Sequence, residues 1–320
     1  MLKSSVAAAP LFSRRGLSID RLRALVAVAE AGGIAAAAPR APTRQSQLSR
    51  QVSELEAFFG LPLTERVSGR LSLTPAGHSV VEHTRWFLQG LVGVAERGLE
   101  LEPVQIGAGD ATLHFVVVPA LGRGKAPKVT LVALPNDELL SRVREGRLDA
   151  ALVRAHKIPR ALHAVRVGTF DCALYVPRRL LPKAGASLVE VLRSVPLALQ
   201  SSEAAFVAEV TRALAVADVR PRIDLACETF PQALQAVRSG SFAAILPTWA
   251  GRELDRSVLV LRGTVLGDHA RPLWLVSDRR LARVRPDSAR FVAALAPGFE
   301  RLATDGHFKR RMALLPESAT

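Results

Sequence analysis

The chain has 320 residues, with 43 Lys and Arg against 29 Asp and Glu, a formal charge of +14, and 49% of its residues are hydrophobic. This length corresponds to about two domains, and two cysteines are too few for a disulfide-stapled scaffold. Charged residues or proline interrupt each apolar run before the ~18 residues that a membrane span needs. We therefore expect a soluble, cytoplasmic protein with reduced thiols and no contact with membranes.

The composition of the N-terminal residues predicts a disordered tail. Residues 1–16 contain Lys3, Arg14 and Arg15 but no acidic residue, and Pro10 breaks their short apolar run. This pattern fits a secretory signal poorly. We expect a disordered tail, with a transit peptide as the alternative, and a second tail at 306–320.

The positive charge does not by itself identify a partner. Residues 1–100 hold 12 basic and 8 acidic side chains, and residues 101–320 hold 31 and 21. Most of the excess positive charge therefore lies outside the N-terminal region. We interpret it as a solvated, Arg-rich surface, with nucleic-acid binding as the alternative.

Residues 18–59 have the apolar period of helices. Leu22, Leu25, Val26 and Ala29 share one face, with Ser18 as the expected N-cap. Two glycines follow, then a short Ala-rich helix that Pro39 stops. A third helix begins near residue 43 and buries Leu48, Val52, Leu55 and Phe59. This succession predicts a helix-turn-helix.

A wing and a long helix come next. Alternating residues within 61–73 predict a small two-stranded wing, and Thr74 and Pro75 predict the start of a helix. In that helix an apolar seam has the 3–4 spacing of a coiled coil. The seam comprises Val80, Thr84, Phe87, Leu91 and Val94. An identical helix of a second copy is the simplest partner, and packing on the chain's own domain is the alternative.

Beyond residue 101 short β-rich runs alternate with amphipathic helices, which predicts an α/β fold of two lobes. We expect the chain to cross between the lobes near Val176 and to return near Arg262.

Several motifs then resemble one family. LRALVAVAEAG at 22–32, RQSQLSRQVSELE at 44–56, LTER at 63–66 and LTPAG at 73–77 resemble the DNA-binding region of LysR-type transcriptional regulators. VQIG at 104–107, LDAALV at 148–153 and AVRSGSFAAILP at 236–247 resemble their effector-binding domain. The resemblance covers about nine tenths of the chain.

The resemblance implies an N-terminal all-α winged helix-turn-helix plus linker helix, followed by a C-terminal α/β two-lobed domain resembling periplasmic binding proteins. The expected parts are the helix-turn-helix domain at 17–74, the linker or dimerisation helix at 75–98, and the effector-binding domain at 103–305. Within the last, lobe 1 takes about 103–175 and 263–300, and lobe 2 about 176–262.

The polar face of the third helix is the expected DNA-reading surface. Its candidate residues are Arg44, Gln45, Ser46, Gln47, Ser49 and Arg50, and the wing adds Arg70. The resemblance implies that Gln45, Ser46 and Ser49 contact DNA bases, whereas Arg50 and Arg70 contact the sugar-phosphate backbone of the DNA. Ser46 stands where the family often has proline, so the operator preference does not transfer.

The same resemblance places a small effector between the lobes. The matching residues are Gly109, Asp110, Ala111, Thr112, Ser201, Ser202, Thr229 and Phe230. Helix N-termini there would offer backbone donors to an anion. Asp110 replaces a residue that is commonly a small hydroxyl one, so a ligand amine or hydroxyl is as plausible as a carboxylate. Simple helix capping is the alternative role for each polar residue.

We find no motif for catalysis, a cofactor or a metal site. The histidines are scattered, Cys172 and Cys227 belong to no CxxC motif, and a redox switch through them is a minor alternative. The expected function is a non-enzymatic regulator whose partners are double-stranded DNA, a small-molecule effector and further copies of itself, as a homodimer or homotetramer. The alternative function is a solute-binding protein with a helical N-terminal appendage.

Overall fold

The computed structural model describes residues 15–67, 70–95, 103–122, 127–183, 186–201, 204–263, 266 and 270–304. Residues 1–14 of the predicted N-terminal tail, the predicted tail at 306–320 and Ser202 lie outside the described residues. The chain divides into two compact units, residues 1–100 and 101–320.

The first unit begins with α1 (Ile19–Ala31), α2 (Ile34–Ala37) and α3 (Pro42–Phe59). The Ser18 hydroxyl accepts a hydrogen bond from the backbone N–H of Arg21 at 3.2 Å and caps α1. Gly32 ends that helix with a φ of 74°, a left-handed conformation that glycine adopts freely. The predicted helix-turn-helix is confirmed.

The core of this unit lies between α1 and α3. Leu25 and Val28 face Leu48, Val52 and Leu55, and all five side chains are buried. At the end of α3, Phe59 packs against this core as predicted, and the neighbouring Phe58 is buried as well.

Phe58 is 2% exposed, whereas Phe59 is half-buried and packs edge-on against the Phe58 ring. Both positions, three and four residues after Leu55, fall near the buried face of a helix, so periodicity alone does not distinguish them.

The wing consists of two antiparallel strands, β1 (Thr64–Val67) and β2 (Arg70–Leu73). The Glu56 carboxylate of α3 accepts hydrogen bonds from the backbone N–H groups of Leu63 and Thr64 at 2.9 and 3.0 Å. It also accepts one from the Thr64 hydroxyl at 3.0 Å. A single side chain of α3 therefore fixes where the wing begins.

The linker helix is α4 (Pro75–Ala95). Thr74 caps it, since its hydroxyl oxygen accepts from the Gly77 N–H at 3.1 Å while the hydroxyl donates to the Pro62 carbonyl at 2.8 Å. This cap ties the start of α4 to the chain segment that enters the wing.

The second unit contains two five-stranded mixed sheets, and the two-lobed α/β prediction is confirmed. The first sheet has the order β4-β3-β5-β12-β6. Its strands are β3 (Val104–Ala108), β4 (Val129–Ala133), β5 (Ala150–Arg154), β6 (Leu162–Phe170) and β12 (Arg271–Asp278). β3 runs parallel to β4 and β5, and β12 runs antiparallel to β5 and β6.

The second sheet has the order β11-β7-β10-β8-β9. Its strands are β7 (Cys172–Pro177), β8 (Leu197–Gln200), β9 (Ile223–Cys227), β10 (Ala243–Pro247) and β11 (Val258–Leu261). β8 runs parallel to β9 and β10, whereas β7 runs antiparallel to β10 and β11.

Helices connect these strands. They are α5 (Asp110–Thr112), α6 (Val118–Leu121), α7 (Asn136–Arg144), α8 (Leu188–Ser194), α9 (Ala204–Val216), α10 (Phe230–Arg238), α11 (Leu281–Val284) and α12 (Pro286–Ala303). A π-helical turn, Leu113–Val117, joins α5 to α6. Short 3-10 turns occupy Arg178–Leu180 and Thr248–Arg252.

The chain crosses between the sheets earlier than expected. β6 ends at Phe170 and β7 begins at Cys172, so the crossing falls at Asp171 rather than near Val176. The reason is pairing: Ala173 to Tyr175 are hydrogen-bonded neighbours of β10 and β11 in the second sheet. Asp171 forms an ion pair with Arg262, where the chain leaves β11.

Gly77 in α4 provides a test of the packing between the linker helix and the wing. A Cβ added there would lie 2.0 Å from the Leu63 carbonyl oxygen. We expect Gly77→Ala to lower the free energy of unfolding by about 1–3 kcal/mol because the backbone has to move apart. Urea unfolding of the full chain, followed by circular dichroism, measures it.

Gly90→Ala is the matched control on the same helix, where an added Cβ meets no heavy atom within 4 Å. It should raise stability by up to ~1 kcal/mol, since alanine favours helix. A Gly77→Ala variant as stable as the parent would contradict this close approach.

Candidate DNA-binding surface and effector cleft

α3 presents a polar face to solvent. Its exposed residues are Arg44, Ser46, Gln47, Ser49 and Arg50. They lie opposite the apolar residues that pack on α1, because successive helix positions are turned by about 100°. Five of the seven predicted DNA-reading side chains are thus together on one accessible surface.

Two grooves flank this face. One runs between the start of α1 and α3, and the other lies among α2, α3 and the wing. The first is lined by Ser18, Asp20, Arg21, Thr43, Ser46, Gln47, Arg50, Gln51 and Glu54. The second is lined by Gly32, Gly33, Ile34, Ala35, Ala36, Gln45, Ser46, Ser49, Arg50, Ser53, Arg66 and Leu71. Ser46 and Arg50 stand on the ridge between them.

Glu54 organises the charges beside this ridge. Its carboxylate binds Arg21 at 2.5 Å and approaches the Arg50 Nε at 3.4 Å. The Arg50 side chain nevertheless remains 84% exposed. Its guanidinium is therefore held near α3 but stays accessible to an anion.

Gln45 differs from its neighbours. Its side-chain amide Nε2 donates a hydrogen bond to the Ala38 carbonyl at 2.8 Å, in the turn between α2 and α3. The residue is half-buried. Without DNA it therefore stabilises the turn, a structural role that the sequence did not reveal.

The wing carries two further arginines. Arg66 on β1 is exposed and lines the second groove. Arg70 begins β2, and its side chain lies outside the described residues.

The predicted seam of α4 separates into two parts. Val80 packs against the core of the first unit and Thr84 is only 4% exposed. Phe87 and Leu91 are 48% and 45% exposed. The packing of Val80 therefore favours the intramolecular alternative at the start of the seam, and pairing through Phe87 and Leu91 stays a prediction. The Val94 side chain lies outside the described residues.

The second candidate site is the boundary between the two lobes of the second unit, which we call the cleft. Gly109 and Asp110 follow β3 of the first sheet, Ser201 follows β8 and Thr229 follows β9 of the second. These are the carboxyl ends of parallel strands, where α/β sheets commonly bind ligands.

Most of the predicted effector residues have structural roles. The Thr229 hydroxyl caps α10 by accepting from the Gln232 N–H, and the Ser201 hydroxyl donates to the Cys227 carbonyl at 3.0 Å. Ala111 and Thr112 are 1% and 3% exposed. Helix capping, the alternative given from the sequence, thus describes the side chain of Thr229.

Asp110 and Phe230 make the one predicted pair that meets across the cleft among the described residues. Oδ2 of Asp110 accepts a hydrogen bond from the backbone N–H of Phe230 at 2.7 Å. The Phe230 ring is fully buried against Phe170 and Phe206, so only its backbone reaches the cleft.

Sequence reasoning missed a second contact between the lobes. His114 in the π-helical turn lies 3.0 Å from Glu253, from Nε2 to Oε1, and Glu253 also accepts from Arg238 at 2.9 Å. The only signal was the spacing of His114, four residues after Asp110 and hence on the same helix face. Its partner is 139 residues away and carried no signal.

The two cysteines are buried and free. Cys172 is on β7 and Cys227 on β9, three strand spacings apart in the sheet, or about 14 Å. A disulfide needs Cα atoms within about 7 Å. Burial also raises the pKa of the Cys227 thiol, which disfavours the reactive thiolate. The geometry does not support a redox switch between them.

Within the described ranges, no helix is both long and apolar enough to cross a membrane. The same residues contain no group of three or more His, Cys, Asp or Glu side chains placed to hold a metal ion.

A winged helix-turn-helix followed by a linker helix and a two-lobed α/β unit defines a class of DNA-binding regulators. Residues 19–78 match the bacterial regulatory helix-turn-helix proteins of the lysR family, and residues 97–299 match the LysR substrate binding domain. The chain therefore belongs to the LysR family, and it is a DNA-binding transcriptional regulator with an effector-binding domain. The match over 19–78 excludes the solute-binding alternative.

Individual proteins agree with this assignment. The HTH-type transcriptional regulator TcbR of Pseudomonas sp. strain P51 is 28% identical over 72% of this chain and 83% of its own length. A probable hydrogen peroxide-inducible genes activator of Mycobacterium xenopi is 32% identical over 49% of this chain and 87% of its own. The crystal structure of ArgP from Mycobacterium tuberculosis has a TM-score of 0.65 at 18% identity, covering 88% of this chain and 98% of that one. At that identity the likeness establishes the fold.

The distance between the two cysteines predicts whether peroxide can link them by a disulfide. We expect hydrogen peroxide to produce no disulfide between Cys172 and Cys227, because they sit on strands that do not adjoin. Intact-mass spectrometry after alkylation of the denatured protein measures it. An unalkylated species 2 Da lighter than the reduced chain, absent in Cys172→Ser, would show a disulfide and contradict the described arrangement.

Proposed function

We propose that this regulator binds a pseudo-palindromic operator through paired winged helix-turn-helix units of a homodimer or homotetramer. A small-molecule effector held between the lobes changes the relative placement of those units. The observation that carries the proposal is the exposed polar face of α3, residues 44–51, bordered by two grooves and the wing. A helix with such a face fits the major groove of DNA.

The residues of this face take two roles. Ser46 and Ser49 offer hydroxyl groups to base edges, and Gln45 offers its amide oxygen, since only Nε2 is used in the bond to Ala38. Arg50 contacts phosphate, as do Arg70 in the wing and, we propose, Arg44. Gln47, on the same exposed face, lies within reach of both kinds of partner.

The effector occupies the cleft beside Asp110. This carboxylate is half-buried, and one of its oxygens already accepts the Phe230 N–H. The other oxygen, Oδ1, favours an effector that brings a hydrogen-bond donor such as an ammonium or hydroxyl group. Gly109, Ala111, Thr112, Ser201, Ser202, Thr229 and Phe230 shape the surroundings of that group.

The oligomer uses the exposed part of α4. Phe87 and Leu91, with Val92 at 40% exposure, form an apolar strip that a second copy of the helix covers. Because these residues follow the part of α4 that packs on the helix-turn-helix core, their pairing fixes the spacing of two DNA-reading faces.

The regulator acts in the bacterial cytoplasm, since its DNA partner is there. The relatives are transcriptional regulators, and we assign no catalytic role to any residue of the chain.

Arg50→Ala tests the DNA interface. We expect binding to every DNA sequence to weaken at least tenfold and the slope of log K against log salt to fall by about 1.8, because each of the two paired units loses one phosphate contact. Fluorescence anisotropy at several salt concentrations measures both. The DNA fragment comes from genome-wide mapping of the sites that the protein occupies.

Arg23→Ala removes the same charge from an exposed residue of α1 that lines neither groove, and it should leave the slope unchanged. Ser49→Ala should alter the ranking of operator sequences without altering the slope. If Arg50→Ala bound its fragment as tightly as the parent, the role assigned to α3 would be wrong.

The double variant Phe87→Asp, Leu91→Asp tests the oligomer. Two buried charges across an apolar contact should raise the dissociation constant of the oligomer at least tenfold. Sedimentation velocity over a range of protein concentrations measures it. Val165→Asp alters another exposed apolar residue, on β6, and serves as the control. If the double variant self-associated as strongly as this control, the assignment of α4 to the oligomer would be wrong.

A further inference from the structure

The contact between Asp110 and Phe230 is one of several between the two lobes. Others are the hydrogen bonds from Arg252 to the Phe115 carbonyl at 2.7 Å and from Trp249 to the Ala303 carbonyl at 3.1 Å. Asp110 opens the helical segment after β3, and Phe230 opens α10 after β9. The distance from the Phe230 N to Asp110 Oδ2 is 2.7 Å, as expected when the acceptor is charged. These two residues are 120 positions apart in the chain.

The first N–H groups of a helix have no partner within the helix and carry partial positive charge. At the start of α10 and just before it, local side chains satisfy three backbone N–H groups. Gln232 Oε1 accepts from Glu228 and Thr229, and the Thr229 hydroxyl accepts from the Gln232 N–H. The Phe230 N–H is bound by a carboxylate from the opposite lobe.

The same two helical segments are joined at a second point. His114, one turn after Asp110, lies 3.0 Å from Glu253 of the second lobe. Glu253 in turn accepts from Arg238, the last residue of α10, through both its carboxylate and its backbone carbonyl. The Asp110 carboxylate therefore binds the N-terminal end of α10, and His114 lies close to Glu253 beyond the other end.

We propose that the Asp110 carboxylate is a built-in substitute for an anionic ligand: it binds the α10 N-terminus and, with the other contacts between the lobes, helps to hold them together without effector. This inference rests on the proposed role of the cleft as the effector site. It follows that a small carboxylate cannot bind the Phe230 N–H in this protein, because the Asp110 carboxylate already does. Shortening the Asp110 side chain should open that position.

The test is rescue by acetate in the full chain. Tryptophan fluorescence follows thermal unfolding while sodium acetate replaces sodium chloride at constant ionic strength and pH 7.5. We expect Asp110→Ala to lower the Tm by about 2–6 °C. Acetate should restore at least half of that loss with a saturable dependence at concentrations on the order of 10–100 mM, while the parent shows no saturable response.

Two further variants control for charge and space. Asp110→Asn keeps an acceptor oxygen in the same place, so it should retain most of the Tm and show no acetate response. Asp137→Ala removes an exposed carboxylate from the first turn of α7 in one lobe, and it should behave as the parent does.

The proposal is overturned if Asp110→Ala keeps the parental Tm and shows no acetate response, or if acetate stabilises the parent and the variant equally. Anisotropy with the operator fragment separates this from the proposed function. Rescue of the Tm without any effect of acetate on DNA affinity in Asp110→Ala would support the internal anion and refute effector coupling through the cleft.

Discussion

The burial of one face of α3 against α1 orients most of the DNA-binding unit. Each of Leu48, Val52 and Leu55 contributes roughly 1.5–3 kcal/mol by leaving water. Because side chains around a helix are fixed at about 100° steps, burying these three directs residues 44, 46, 47, 49 and 50 into solvent. Glu56, on the next turn of the same helix, then sets the start of the wing through three hydrogen bonds. The reading face and the wing therefore take their geometry from a single helix.

This dependence on local geometry explains why the first unit could be predicted from the sequence. Ser18 caps α1, Gly32 ends it and Pro39 stops the short second helix, and each signal acts within a few residues. In the second unit most strands are continuous apolar runs and were equally readable. β6 was not, since His163, Arg166 and Gly168 interrupt its apolar residues, as expected for an edge strand that pairs only with β12. The position of the crossing depends on which sheet β7 joins, which no local pattern encodes.

The sites divide in the same way. The DNA-reading face needed only the period of one helix, whereas the cleft depends on contacts between distant residues. The sequence drew attention to Asp110 and Phe230 separately but gave no sign that they bond, and it gave none of the pair between His114 and Glu253. For α4 the 3–4 spacing was correct as a pattern and ambiguous in meaning. A residue such as Val80 that packs inside its own domain has the same spacing as one that pairs between helices.

An effector changes operator binding only by as much as it binds one arrangement of the lobes better than another. Allosteric couplings typically amount to about 1–3 kcal/mol, and a hydrogen bond to a charged group contributes about 1.5–3 kcal/mol. The bond between Asp110 and Phe230 is therefore of the same size as the whole signal that the effector has to produce. With that bond in place, the lobes do not need an external anion at the α10 N-terminus. In the mechanism that we propose, a ligand acts by adding a donor to the Asp110 carboxylate or by displacing it from α10, so this side chain determines which ligand chemistry can change the arrangement of the lobes.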